Sequence, residues 1–442
     1  MKKLYNVLGV LIVLGVLAVG FAACPDTPKG FVNVTGVHLE QTAISLTIGQ
    51  TAQLSGYVTP KSANMQDLVW ESSDEGVVRV DKNGKITAIS EGDAEITASS
   101  YQDTRIKAEC SVSVLALEWE WTVAANTGSV QFNRVAWGIN GTDQLYVAVG
   151  NSSTIMESVD GILWNSKTGF ASSRDVKDVA YGAGKFVAVG QRGTIAYREL
   201  SLAGSWNALT AGAGGFSTSA LGTNFINGVA YGGEPGNEVF VAVGTGRAVA
   251  YSTDGTSWSN SEVSWSGNTT TFVLNCITWV NDEDNFFAGG VGGNIAYSID
   301  GKTWSVVPGG TTGSNNTGTT ANINGIAYGD GILVAVGNNG TIIYSTDFNS
   351  KWETARAAPA FTTSNAINDV IWSEDLHLFI AVGSSGRMGQ STDGVRWHTI
   401  SNEFGSNAIN GIVEEGEKDK FVAVGAAGRI IWGLEVIDED DD

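Results

Sequence analysis

From Val34 onward the chain alternates apolar and polar residues in short runs broken by turn residues, the pattern of half-buried β-strands. Up to residue 116 the runs are "VHLE", "ISLTIGQTAQLSGYV", "LVWESSD", "VVRVDKNGKITAI", "AEITASS" and "CSVSV". The "DKNG" at 81–84 predicts a hairpin turn, since Asp and Asn tolerate tight backbone geometry and Gly84 accepts positive φ. Val78, Val80, Ile86 and Ala88 flank it with period two, which buries one face of the hairpin. Trp70 is expected at the centre of this first unit.

Beyond residue 116 the alternation becomes a repeat. An apolar strand ("FNRVAWG", "VKDVAYG", "INGVAYG", "LNCITWV", "INGIAYG", "INDVIWS", "INGIVEE") is followed each time by a second strand of the "FVAVG" kind. The second strands end at Gly150, Gly190, Gly244, Gly290, Gly337, Gly383 and Gly425, in steps of 40, 54, 46, 47, 46 and 42 residues. A third strand follows ("TIAY", "NIAY"), then a turn such as "STDGTSW" whose tryptophan opens a fourth. Four strands in roughly 45 residues make one propeller blade, which buries its faces only by stacking on neighbours. The tryptophan element closes repeats one to six at Trp164, Trp206, Trp258, Trp304, Trp352 and Trp397, and repeat seven lacks it. An unpaired strand, "LEWEWTV" (117–123), precedes repeat one. It is predicted to supply the fourth strand of blade seven and close the ring.

The expected fold is all-β: a signal peptide (1–23), a tether (24–32), a β-sandwich (33–116), a seven-bladed β-propeller (117–436) and an acidic tail (437–442). "LTIGQTAQL", "VWESSD", "VRVDKNGKITAISEGDAEITA" and "CSVSVL" closely resemble the bacterial immunoglobulin-like group 2 (Big2) domain. That resemblance implies an immunoglobulin-like sandwich used as a spacer or an adhesion module on bacterial surface proteins; a stalk is the plainer reading. The repeated Ser-x-Asp-Gly turn with its tryptophan resembles the Asp-box of sialidase-like, BNR-repeat propellers, one residue shorter. "STDFNSKW" keeps the longer spacing, and "RELSLAGSW" in blade two has lost the box.

The box aspartates Asp160, Asp254, Asp300, Asp347 and Asp393 are read as fasteners. Ser and Asp oxygens accept turn amides, Gly takes the left-handed conformation, and Trp packs between sheets. A catalytic carboxylate is needed once or twice, not five times around a ring.

In such blades the first–second and third–fourth turns share one face, here the turn face. The second–third turns and inter-blade links share the other, the link face. Arg192, Arg247, Arg387 and Arg429 fall in second–third turns. Asn133, Asn227, Asn275, Asn324, Asn368 and Asn410 recur near the start of the innermost strands, where they would ring the channel mouth on the link face. With Trp265 in a link, they define a candidate site for a polar or anionic ligand such as a glycan, because arginine suits carboxylates and asparagine both donates and accepts. The plainer reading is that the asparagines satisfy backbone groups or channel water, and that the arginines pair with acids or face solvent.

Composition narrows the function. The 442 residues include 57 Gly, 14 Trp and 6 Pro, and carry a net charge of −21. That balance argues against nucleic-acid binding, which needs a cationic surface. His38, His377 and His398 are scattered and show no zinc-ligand spacing, so no metal or cofactor is expected. Lys2 and Lys3 precede an apolar run ending in Ala22-Ala23-Cys24, an export signal resembling a bacterial lipoprotein box, although Phe21 stands where leucine is usual. The resemblance makes Cys24 the lipidated residue; an uncleaved anchor helix is the alternative. Either route places a monomer in the cell envelope, held to a membrane at the surface or on the periplasmic side. Cys110 and Cys276 are expected as buried free thiols.

No G-x-S-x-G, no P-loop and no Phe-Arg-Ile-Pro of the sialidases is present, so the reading is non-enzymatic. Photosystem II assembly factors are equally similar propellers that act by binding proteins. The expected function is adhesion to, or recognition of, a protein or glycan through the propeller. A periplasmic scaffold and a degenerate sialidase-like glycoside hydrolase are the alternatives.

Overall fold

The computed structural model describes residues 31–170, 173–201, 204–209, 225–263, 273–307, 317–348, 352–355, 360–416 and 420–436. The chain is an immunoglobulin-like β-sandwich followed by a seven-bladed β-propeller. In the sandwich, Ala43–Thr47, Lys107–Leu115, Gly92–Ser100 and Leu68–Ser72 form one sheet in that order. Thr51–Gln53, Lys85–Ala88 and Val78–Val80 form a second, and Gly36–Leu39 pairs with Gly56–Thr59 in a short third. Asp81 Oδ1 accepts the amides of Asn83 and Lys85 at 2.7 and 2.9 Å, and Gly84 has φ +84°, so the hairpin forms where the alternation placed it. Val78, Ile86, Ala88, Ile96, Cys110 and Val112 fill the core. Trp70 is only half-buried and lies over Gly84 and the turn, because its strand is at the sheet edge.

Seven sheets follow. Their innermost strands are Phe132–Asn140, Val176–Gly182, Ile226–Gly232, Leu274–Val280, Ile323–Gly329, Ile367–Ser373 and Ile409–Glu415. Blade 7 takes its fourth strand from Glu118–Val123, paired antiparallel with Ile430–Val436 from Glu118↔Val436 to Val123↔Ile431. The two ends of the propeller are thus hydrogen-bonded into one sheet. Blade 4 gains a short outer strand, Glu262–Val263, parallel to Thr303–Trp304, where only a link was expected.

Each seam between blades is filled by an apolar cluster with a fourth-strand tryptophan in it. Trp206 fills the seam of blades 1 and 2, and Trp258, Trp304, Trp352 and Trp397 the next four. Trp164 fills the seam where blade 1 meets Val422, Val424 and Ile430 of blade 7. Trp121 of the closing strand provides the remaining one, between blades 6 and 7. Burial of about 150–250 Å² per large ring makes these side chains the main apolar contribution at each seam.

Two glycine positions are set by geometry. The second strands end where the incoming link crosses close beneath, so a Cβ on Gly337 would lie 2.0 Å from the Asn322 carbonyl oxygen. In the Ser-x-Asp-Gly turns, glycine has positive φ and packs on the preceding blade: a Cβ on Gly301 (φ +67°) would lie 2.4 Å from Val241 Cγ2. These turns therefore join blades as well as strands.

The sandwich is docked on the propeller. Arg79 pairs with the buried Asp393 at 3.1 Å, Thr392 Oγ1 donates to Ile89 O at 3.1 Å, and Gly49 abuts the Leu376 carbonyl. The apolar core of the sandwich runs on into Leu378, Ile380 and Phe421 of blades 6 and 7. Leu376 and Asp393 both lie in blade 6 turns of the turn face, so the sandwich covers part of that face.

Candidate functional site

At the start of every innermost strand the antiparallel pairing skips one residue. In blade 1, Phe132 opposes Gly150 and Arg134 opposes Val149, leaving Asn133 as the bulged residue. The skipped residues are Asn133, Lys177, Asn227, Asn275, Asn324, Asn368 and Asn410. The six asparagines do form a ring. Each donates its Nδ2 to the first carbonyl of the next blade's innermost strand: Asn133 to Val176, Asn227 to Leu274, Asn275 to Ile323, Asn324 to Ile367, Asn368 to Ile409 and Asn410 to Phe132, at 2.7–3.0 Å. Lys177 breaks the series and pairs with Asp175 at 3.2 Å.

A bulge turns the following residue toward the axis as well. That second ring reads Arg134, Asp178, Gly228, Cys276, Gly325, Asp369 and Gly411. Arg134 reaches across the axis. Its Nη1 donates to Asn410 O, and its Nη2 donates to Asn324 O and Asn368 O at 3.1 and 3.2 Å. Asp178 and Asp369 each stand 4.0 Å from the guanidinium. Asp178 Oδ2 also accepts the Val229 amide of blade 3, and Asp369 Oδ2 the Ile412 amide of blade 7.

Burial pushes the Asp178 carboxyl up to about 6, although Arg134 and the Val229 and Val179 amides pull the other way. Asp369 is raised for the same reason. Burial lifts the Cys276 thiol to about 12, and Cys276 and Cys110 are both free and buried. The channel below the asparagine ring is thus closed by one cation held between two carboxylates and a set of carbonyls.

The arginines of the second–third turns sit on separate blades. Arg192 is exposed at the tip of blade 2, at φ +56°. Arg387 and Arg429 are half-buried on blades 6 and 7, and Arg429 Nη1 donates to Phe404 O at 3.2 Å. No side-chain partner of Arg387 occurs among the described residues. The Arg247 side chain, Trp265 and Cys24 lie outside the described residues.

In the box turns, Oδ1 of the aspartate accepts two successive turn amides: 2.9 and 3.0 Å at Asp160, 2.7 and 2.7 Å at Asp254, 2.8 and 2.8 Å at Asp300, 2.9 and 2.8 Å at Asp393. In the longer copy, the Asp347 amide donates to Ser345 Oγ at 3.2 Å. Partial burial raises these carboxyls, but the turn amides outweigh it and hold Asp160, Asp254 and Asp300 below the usual range. In four of the turns the tryptophan Nε1–H donates to the glycine carbonyl at 3.0–3.3 Å.

Blade 2 substitutes a different device. Arg198 stands in the serine place and is 2% exposed; it pairs with Glu157 of blade 1 (4%) at 2.8 Å. Its Nη1 and Nη2 donate to the Glu199 and Ser201 carbonyls, and Trp206 Nε1–H donates to Glu157. Arg134, Asp178, Asp369, Arg198 and Glu157 were not singled out by the sequence reading. For Arg134, Asp178, Asp369 and Arg198 the signal was a charge in a column of the repeat that is otherwise small or apolar; Glu157 stands in the column of Tyr197, Tyr251, Tyr297, Tyr344 and Gln390.

Residues 33–112 match the bacterial Ig-like domain, group 2. The chain carries a domain of that family. An uncharacterized protein of Clostridium acetobutylicum is 36% identical over 83 residues, 19% of this chain and 9% of that protein. The lacto-N-biosidase of Bifidobacterium bifidum is 45% identical over 76 residues, 17% of this chain and 7% of that enzyme. The chain therefore spans less than a tenth of the length of each of these two. The solved structure of YCF48 bound to D1 peptide superposes with a TM-score of 0.53 at 16% identity, covering 72% of this chain and 95% of that one. At that identity the likeness shows the propeller fold alone.

Proposed function

We propose that this chain is a non-enzymatic binding protein of the cell envelope, anchored by lipid at Cys24, that recognises a protein or glycan on the link face of its propeller. The observation that carries this reading is the position of the Ig-like domain. It occupies the turn face at blade 6 and leaves the link face, with the exposed Arg192 and the half-buried Arg387, turned away from the rest of the described chain. The channel favours binding over catalysis. Asp178 and Asp369 are engaged with backbone amides and Arg134, whereas most glycosidases present two carboxyls to the sugar. YCF48 offers a precedent for a similar propeller with a bound peptide. The lacto-N-biosidase likeness spans 7% of that enzyme and brings no activity with it.

The full chain applied to glycan and protein arrays is expected to select a discrete set of ligands. Arg192→Ala with Arg387→Ala should weaken that binding without changing the melting temperature; unchanged affinity would remove the link face from the proposal. Protease treatment of intact cells separates surface recognition from a periplasmic scaffold. Hydrolysis of any arrayed glycoside would overturn the non-enzymatic reading.

A further inference from the structure

Four box glycines plug a seam between blades. A Cβ on Gly161, Gly255, Gly301 or Gly394 would lie 2.4–3.0 Å from a valine of the preceding blade's second strand. Lysines reinforce two of these seams: Lys185 donates to Asp254 O at 2.8 Å, and Lys420 donates to Asp160 O. Between blades 1 and 2 both devices are missing. Blade 2 has Arg198 in place of the box serine, and Leu145 stands where blades 2 and 7 have lysine. A cavity of about 160 Å³ opens there, on the turn face, with Leu145 and Leu200 in its lining.

The lining is electrically balanced, although the chain carries a net −21. Glu157 and Asp160 are matched by Arg198 and Lys167, which stand 2.8 and 3.6 Å from Glu157. Two acceptors are left over. Asp160 Oδ1 is taken by turn amides, and Oδ2 has no hydrogen-bond partner among the described residues. Gln144 gives its Nε2 to Val159 O at 2.9 Å, and its Oε1 is likewise without one. Around the opening stand Val159 (51% exposed) and Leu163 (48%), with Ile139 and Ile162 close by in sequence and pairing.

The geometry points to a docking site for a protein partner that inserts one tyrosine side chain between blades 1 and 2. The volume is below the usual range of about 300–1,000 Å³ for a small-molecule pocket, so it admits one ring. Leu145, Val159, Leu163 and Leu200 offer apolar contact to a ring, the leftover acceptors of Asp160 and Gln144 favour one that ends in a donor, and a lining of zero net charge gives a charged side chain no advantage. An exposed aliphatic rim around a small pocket is how protein interfaces shield an anchor residue from water; a sugar is met by an aromatic platform, which this lining lacks. This surface is separate from the link face, so it stands or falls independently of the function proposed above.

The test uses the full chain and two capped peptides, acetyl-Gly-Tyr-Gly-amide and acetyl-Gly-Phe-Gly-amide, with methyl β-glucopyranoside as a third probe, in saturation-transfer NMR and titration. The tyrosine peptide is expected to bind, and the phenylalanine peptide about tenfold more weakly, because it forgoes the hydrogen bond of the phenol. Asn165→Trp, an exposed strand position at the opening, and Val159→Asp should each abolish the response while leaving the melting curve in place. No response from the tyrosine peptide, a response that survives both substitutions, or a stronger response from the pyranoside would overturn the assignment.

Discussion

A single guanidinium closes the propeller axis. Arg134 belongs to blade 1, yet it donates to carbonyls of blades 5, 6 and 7 as well as to Asn133 O of its own blade, and its ion-pair partners lie on blades 2 and 6. Replacing it by alanine leaves two carboxylates in a poorly solvated channel. The expected loss is about 3–5 kcal/mol, the usual effect of breaking a buried pair from one side, read by denaturant unfolding. Adding Asp178→Asn and Asp369→Asn should recover much of it. The channel also gives a pH signature. Asp178 titrates near 6 in the folded chain, above its ordinary 3.8, so between those values the folded state holds a proton that the unfolded state has lost. This group's contribution therefore falls as pH rises across that window. The melting temperature of the wild type relative to Asp178→Asn should rise on going from about pH 7 to about pH 4. The charges were visible as "FNRVAWG", "VKDVAYG" and "INDVIWS". Period-two counting stopped at the asparagine one place earlier, because alternation has no term for a bulge that turns two successive residues inward.

At the scale of the turn, chemistry and packing are joined. Gly301→Ala forces a left-handed alanine, at about 1–2 kcal/mol, and presses its methyl on Val241, at about 1–3 kcal/mol. The summed loss should appear in the melting curve, and Gly128→Ala, with positive φ but open space around it, should show only the first part. Arg198→Ala is expected to be at least as damaging, about 3–5 kcal/mol, since Glu157 stays buried with only Trp206 and Lys167 beside it. The box turns were legible because Ser, Asp, Gly and Trp recur at fixed spacing in four of the repeats. The Arg198–Glu157 pair was not, because its halves come from different repeats, 41 positions apart by their numbers, and meet only when blades stack.

For the whole molecule, ring closure was readable from an orphan strand at one end and a missing element at the other. Docking of the Ig-like domain was not, because complementary surfaces leave no periodic trace. The sandwich had been expected as a spacer; it shares an apolar cluster with blades 6 and 7. A single calorimetric transition is therefore expected for the full chain. Arg79→Glu, which faces a carboxylate against the buried Asp393, should split off an earlier transition for the sandwich.

The pairing of Glu118–Val123 with Ile430–Val436 also fixes a timetable. Synthesis runs from the amino end, so the closing strand exists long before the sheet that receives it. Until the last blade is made, its backbone donors and acceptors stay open to any other chain. Glu118 and Glu120 remain exposed even in the finished ring, and their like charges discourage two such strands from zipping together during that wait.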